Sequence, residues 1–160
     1  MLTFARAHGK HPTPHARTHA RTHARTHART HFARSRTQLG LAVLEDDGSA
    51  LAAAITCASL SLANAEIEMK DLVAGCTLGV EGKRLIMDPG ATEAAKQTTG
   101  LTVAYMPSID EISGIIQSGE MPFELQAHAV QACVTGCGQI NEVQQVCLRQ
   151  SATARTAAAC

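Results

Sequence analysis

The sequence predicts a mixed α/β domain of the α+β kind, running strand, helix, four strands, helix, behind a disordered basic arm. Three observations carry this. An acidic glycine turn, Asp46-Asp47-Gly48, leads into an alanine-rich run. Short apolar runs broken by turn residues follow it. The final third carries apolar residues at three-to-four spacing, the period of an α-helix.

The arm comes first. All eight basic residues before Thr37 stand without an Asp or Glu, so the segment carries +8. With 14 basic and 14 acidic residues in the whole chain, the remainder carries 6 minus 14, or −8. Charge asymmetry of this kind often marks a tail that binds nucleic acid or membrane. Here the unit His-Ala-Arg-Thr repeats without error from His15 to His31 and contains no large apolar side chain. Such a segment cannot bury enough surface to offset its ordering entropy, so disorder is expected over residues 1–37. The four codons can all come from an alternating CA/CG tract, which makes translated microsatellite DNA the expected origin of the repeat. Histidines at every fourth position would bind divalent metal weakly and unselectively, since nothing fixes the helix that would align them.

From Gln38 the composition becomes that of a globular protein. Leu41 to Leu44 reads as a short buried strand, ended by Asp46-Asp47-Gly48. Those two aspartates are expected to bond their own backbone in the turn rather than work as an acid-base pair. Ala50 to Ala65 reads as a helix with apolar residues around most of its axis, and so as one packed inside the domain. Ser49 precedes it and is expected to cap it. Leu72 to Val80 and Lys83 to Met87 flank Glu81-Gly82 as a β-hairpin. Asp88-Pro89-Gly90 ends that hairpin, and Ala91 to Thr99 offers a short polar helix. Leu101 to Met106 and Ile112 to Gln117 read as two more strands. Pro122 opens the last helix, with Leu125, Ala129, Cys133, Val134, Cys137, Ile140 and Val143 down one face. The domain is expected to span 38–151, with a disordered tail over 152–160.

The six cysteines include no Cys-x-x-Cys pair, and Cys133 and Cys137 lie one helical turn apart on the apolar face, where cysteine acts as a small hydrophobe. No metal site and no cofactor are expected. Without a leader or a membrane-length apolar run, a reducing compartment is expected and no membrane partner. His128, the one histidine outside the arm, has no local partner for nucleophilic catalysis.

The order of elements, with Val43-Leu44-Glu45-Asp46-Asp47-Gly48, Ala52-Ala53-Ala54-Ile55-Thr56, Met69-Lys70-Asp71-Leu72-Val73, Met87-Asp88-Pro89, Gly100-Leu101-Thr102-Val103-Ala104, Met106-Pro107, Gly114 and Gly119-Glu120, resembles the second half of an RNase PH domain. That ribosomal protein S5 domain 2-like fold builds bacterial phosphorolytic ribonucleases and the ring of the RNA exosome. The resemblance covers about Gln38 to Ser151. A family domain is roughly twice as long, so the apolar faces here are expected to be partly exposed, and a truncated or misassembled gene reading is expected, with the arm where the front half should stand.

The resemblance implies a phosphate cradle at the glycine turn, where active members follow glycine with a hydroxyl residue and an arginine. A helix N-terminus offers only about half a charge, so an added cation matters for phosphate. The corresponding stretch here is Gly48, Ser49, Ala50, Leu51, a vestigial site in which isobutyl stands where guanidinium is needed. Active members also place aspartates just before the strand matching Leu101 to Met106, to hold magnesium and protonate the leaving oxygen. This chain offers Thr98, Thr99 and Gly100. The expectation is a silent structural subunit of the exosome ring, with other RNase PH-like ring subunits and RNA as partners, in the nucleus, nucleolus and cytoplasm. With one tyrosine and no tryptophan, base stacking is nearly excluded, so RNA would be met at its backbone phosphates by Lys83, Arg84 and Lys96. The competing expectations are an active phosphorolytic 3′-5′ exoribonuclease and a basic, histidine-rich nucleic-acid or metal binder.

Overall fold

The computed structural model describes residues 37–82 and 84–158. The arm of residues 1–36 and its repeat lie outside the described residues, as do Lys83 and the last two positions.

Helix α1 (Ala50–Asn64) is followed by strands β1 (Ala74–Glu81) and β2 (Arg84–Met87), a one-turn helix α2 (Ala91–Ala94), strands β3 (Thr99–Met106) and β4 (Glu111–Ser118), and a long helix α3 (Phe123–Ala158). The four strands form one antiparallel sheet in the order β2-β1-β3-β4. The β1–β2 and β3–β4 pairs are consecutive in sequence, β1–β3 joins across β2, and turn chemistry fixes the first. Glu81 pairs with Arg84, and Gly82 sits at φ 63°, which a residue without Cβ adopts at no steric cost. With Glu81 already in the ladder, the turn starts at Gly82, one position later than the sequence suggested.

Alternation along β1 and β3 builds the two faces. Ala74, Cys76, Leu78 and Val80 with Leu101, Val103 and Tyr105 form a buried apolar face, covered by Ala129, Cys133 and Cys137 of α3. The opposite face carries Gly75, Thr77, Gly79, Gly100 and Thr102, and the hydroxyls of Thr77 and Thr102 bond across the strands at 3.0 Å. Small residues there let α1 approach closely. A Cβ on Gly75 would stand 2.6 Å from the carbonyl oxygen of Ala52.

The seam between α1 and β1 is polar. Gly75 N donates to Thr56 Oγ1 at 3.0 Å and Val73 N donates to Ser59 Oγ at 2.8 Å, so helix hydroxyls satisfy strand donors that would otherwise be stranded. Gln144 of α3 closes the seam, donating to Val73 O at 3.1 Å and Thr56 O at 3.4 Å. Farther along, Arg155 donates to Asn64 O at 3.1 Å, a cation on the last carbonyl of α1, where the helix dipole favours positive charge.

Four sequence expectations are corrected. Leu41 to Leu44 forms no strand, and Val43 and Leu44 are exposed. A strand needs a ladder partner, and all four strands of the sheet come from residues 74–118. Helix α1 is not enclosed. Only Ala52, Ser59 and Leu62 are buried, because it meets the sheet along one side. On α3 the apolar stripe does not reach Val143, which is exposed, while Asn141 and Gln144 are buried. There the helix has passed the sheet and reached the polar seam at Val73. Finally, α3 runs on past Ser151 to Ala158, held by Arg155, so most of the expected tail is helix.

Strand β4 is the free edge opposite β2. Ile112, Ile115 and Ile116 are exposed on its two faces. Phe123 is exposed as well, whereas Tyr105 is buried and donates to Asp110 Oδ1 at 2.5 Å. The carboxylate acceptor raises the Tyr105 hydroxyl pKa, since ionising the phenol would set two negative charges side by side.

Candidate functional site

The acidic glycine turn folds as its residue types dictate. Asp46 Oδ1 accepts from Gly48 N at 2.9 Å, an Asx turn. Gly48 takes φ 102°, and a Cβ there would lie 2.3 Å from Pro89 O. The glycine is therefore needed twice, for its backbone conformation and for the contact with the loop after β2.

Ser49 does not cap α1. Its backbone is left-handed at φ 53°, outside the extended region in which a cap side chain turns back onto the helix, and its side chain makes no cap bond. The hydroxyl instead donates to Pro89 O at 3.4 Å. The first intrahelical bond is Ala53 N to Ser49 O at 3.2 Å. Ala50 and Leu51, both half-buried, supply the first turn, and that turn contains no acidic residue.

The second site segment reaches the same neighbourhood through Pro89 and Gln97. A Cβ on Gly79 would meet Pro89 Cγ at 3.3 Å and Gln97 Oε1 at 2.4 Å. A Cβ on Gly100 would meet Gln97 Nε2 at 3.1 Å. Gly79 and Gly100 are cross-strand partners, so the Gln97 side chain lies flat on a floor of two glycines, with its Oε1 buried and unpaired. Thr98 and Thr99 follow, and their hydroxyls are already used. Thr98 Oγ1 donates to Val80 O at 3.0 Å, and Thr99 Oγ1 donates to Glu120 O.

The nearby carboxylate is Glu93, and its Oε2 accepts from Gly90 N at 3.0 Å, closing the first turn of α2. Among the described residues no group of three or more His, Cys, Asp or Glu could hold a metal ion. His128 is exposed on α3. Of the expected RNA-contacting cations, Arg84 and Lys96 are both exposed, on the β2 edge and just after α2, and Lys83 lies outside the described residues. The structure thus sets the glycine turn against the Pro89 loop, with Pro89 and Gln97 together over Gly79 and Gln97 reaching on to Gly100. The role of Gln97 was missed from sequence. Its only signal was the glycine at each of two positions that turn out to be paired.

Among the described residues no helix is long and apolar enough to cross a membrane. The sequence model described as "3′ exoribonuclease family, domain 1" matches residues 4–68. The human protein "Exosome complex component MTR3" is 40% identical over 132 residues, covering 80% of this chain and 48% of its own length. The chain spans about half the length of the curated relatives it matches. In fold it is similar to rice Rrp46 (TM-score 0.63, 22% identity, 67% of this chain and 51% of that one). It is also similar to the C. elegans cell-death-related nuclease 5 (TM-score 0.67, 18% identity, 73% and 65%). These likenesses in sequence and in fold agree on an RNase PH family domain.

Proposed function

We propose that this chain serves as a structural subunit of an RNA exosome ring, supporting 3′-to-5′ RNA processing and decay through assembly without cleaving RNA itself. The relatives named exosome components support the ring assignment. One observation carries the silent character. The glycine turn carries an isobutyl group at Leu51, and the start of β3 carries hydroxyls at Thr98 and Thr99 that are spent on backbone carbonyls.

Phosphorolysis needs a cation to hold the attacking phosphate and an acid or metal to release the 3′ oxygen. The N-terminus of α1 supplies at most about half a positive charge, too little for a doubly charged anion in competition with water. Leu51 adds nothing to it. Glu93 is bonded to the α2 turn and stands off register from β3. The stretch Gly48, Ser49, Ala50, Leu51 is on this reading a relic whose glycine and serine now hold the Pro89 loop.

RNA contact is assigned to Lys83, Arg84 and Lys96 through backbone phosphates, weak and salt-sensitive outside the assembly. Residence in nucleus, nucleolus and cytoplasm follows the ring. A tagged full chain expressed with RNase PH-like ring proteins is expected to recover them on purification. Recovery of none of them contradicts the ring assignment.

A further inference from the structure

The loop between β3 and β4 is tied to the chain ahead of β1 through one carboxylate. Ser108 N donates to Asp71 Oδ2 at 2.7 Å and Ser108 Oγ donates to Asp71 Oδ1 at 2.8 Å, while the same Oδ1 accepts from Leu72 N at 2.7 Å. Beside this tie, Lys70 Nζ meets Glu111 Oε2 at 3.2 Å, between side chains more than half exposed. Ser108, Ile109 and Asp110 are exposed as well, so the whole arrangement lies at the surface. No residue of the glycine turn or the Pro89 loop takes part in it.

In Ser108-Ile109-Asp110-Glu111, carboxylates stand two and three positions after the hydroxyl. No other serine or threonine of the chain has an acidic residue at the third position after it. Acidic side chains placed just after a hydroxyl are complementary to a protein kinase whose substrate groove is lined by lysine and arginine. We infer that Ser108 is a phosphorylation site for a kinase of that kind, and that the phosphate releases the β3–β4 loop from Asp71.

The kinase reaches the hydroxyl by local opening. Both Asp71 bonds to Ser108 are solvent-exposed, and Met106–Glu111 is the last pair of the β3–β4 ladder, so opening the loop breaks little. Ser108 Oγ then attacks the γ-phosphorus of ATP, the bond from that phosphorus to the β–γ bridging oxygen breaks, and ADP leaves, while the hydroxyl proton passes to the catalytic carboxylate of the kinase. The phosphate carries about two negative charges at neutral pH. It stands where the hydroxyl proton had bridged to Asp71, so repulsion replaces attraction. Lys70 can turn from Glu111 to the phosphate, but exchanging one exposed ion pair for another returns little. The loop is therefore looser after phosphorylation than before it.

The test treats the full chain with casein kinase 2, magnesium and ATP. Tandem mass spectrometry of a Glu-specific digest is expected to place phosphate on Ser108 within the 94–111 peptide, and to find that peptide unmodified in Ser108→Ala. Glu111→Gln is expected to be phosphorylated about tenfold more slowly, the loss of one charge-assisted contact with the kinase. Phosphorylated protein is expected to melt about 2–4 °C lower than untreated protein, and alkaline phosphatase to restore the midpoint. An unmodified Ser108, phosphate on Thr98, Thr99 or Thr102 in its place, equal rates for Glu111→Gln and the unaltered chain, or a midpoint that stays or rises on phosphorylation would each overturn the inference.

Discussion

Ser49 donates its hydroxyl to the carbonyl oxygen of Pro89, at 3.4 Å, across 40 positions of sequence. A residue placed by sequence to cap a helix instead ties two loops together. The left-handed backbone at Ser49 and the Gly48 contact with the same carbonyl make the turn a docking element for the end of the β2 hairpin.

Replacing Gly48 with alanine tests this docking. The new Cβ meets Pro89 O at 2.3 Å and the backbone is held at φ 102°. Strained backbone of this kind costs roughly 1–3 kcal/mol, and the clash adds to it. Urea unfolding is expected to show a loss in that range, and an unchanged midpoint would mean that the turn is not held against Pro89.

The polar seam makes a second prediction at Gln144. Changing it to leucine removes an unpaired buried oxygen, which helps, but leaves Val73 O without the amide that reaches it at 3.1 Å. An unsatisfied buried carbonyl costs roughly 1–3 kcal/mol, so a net loss of about 1 kcal/mol is expected in chemical denaturation. A stabilised Gln144→Leu protein would show that the orphaned oxygen outweighs the two bonds.

Tyr105 gives a pH prediction with a clean probe, since the chain has one tyrosine. Its hydroxyl pKa is raised by the hydrogen bond to Asp110. A group whose folded value lies above its unfolded value contributes stability below the unfolded value, near 10 for tyrosine, and loses it as pH climbs through the folded one. Stability is therefore expected to fall at alkaline pH above about 10. Absorbance titration at the phenolate band should give a later midpoint in native than in urea-unfolded protein, and Asp110→Asn should remove most of the difference. Coincident midpoints would remove the bond from the account.

The residue pattern made the strands legible because they end at turn residues, as Gly82 and Asp88 show, although the pairing of β1 with β3 across β2 was not. Helix α1 was legible from its alanines. The strand at Leu41 to Leu44 was misread because an apolar run says nothing about whether a ladder partner exists. Val143 was misread because helical periodicity cannot tell where a helix leaves its sheet. At the site, Leu51 and Thr98-Thr99 could be singled out, through the family resemblance alone. The Gln97 bed on Gly79 and Gly100 could not, because it depends on strand register, and neither could the redirection of Ser49, which depends on a backbone angle.

The most direct measurement titrates orthophosphate against the purified full chain while following nucleoside diphosphate release from end-labelled RNA. The account predicts no saturable phosphate binding and no phosphate-dependent release, with Leu51→Arg strengthening binding but still releasing nothing, because Thr98 and Thr99 supply no acid. Saturable binding by the unaltered chain together with nucleoside diphosphate release would contradict it.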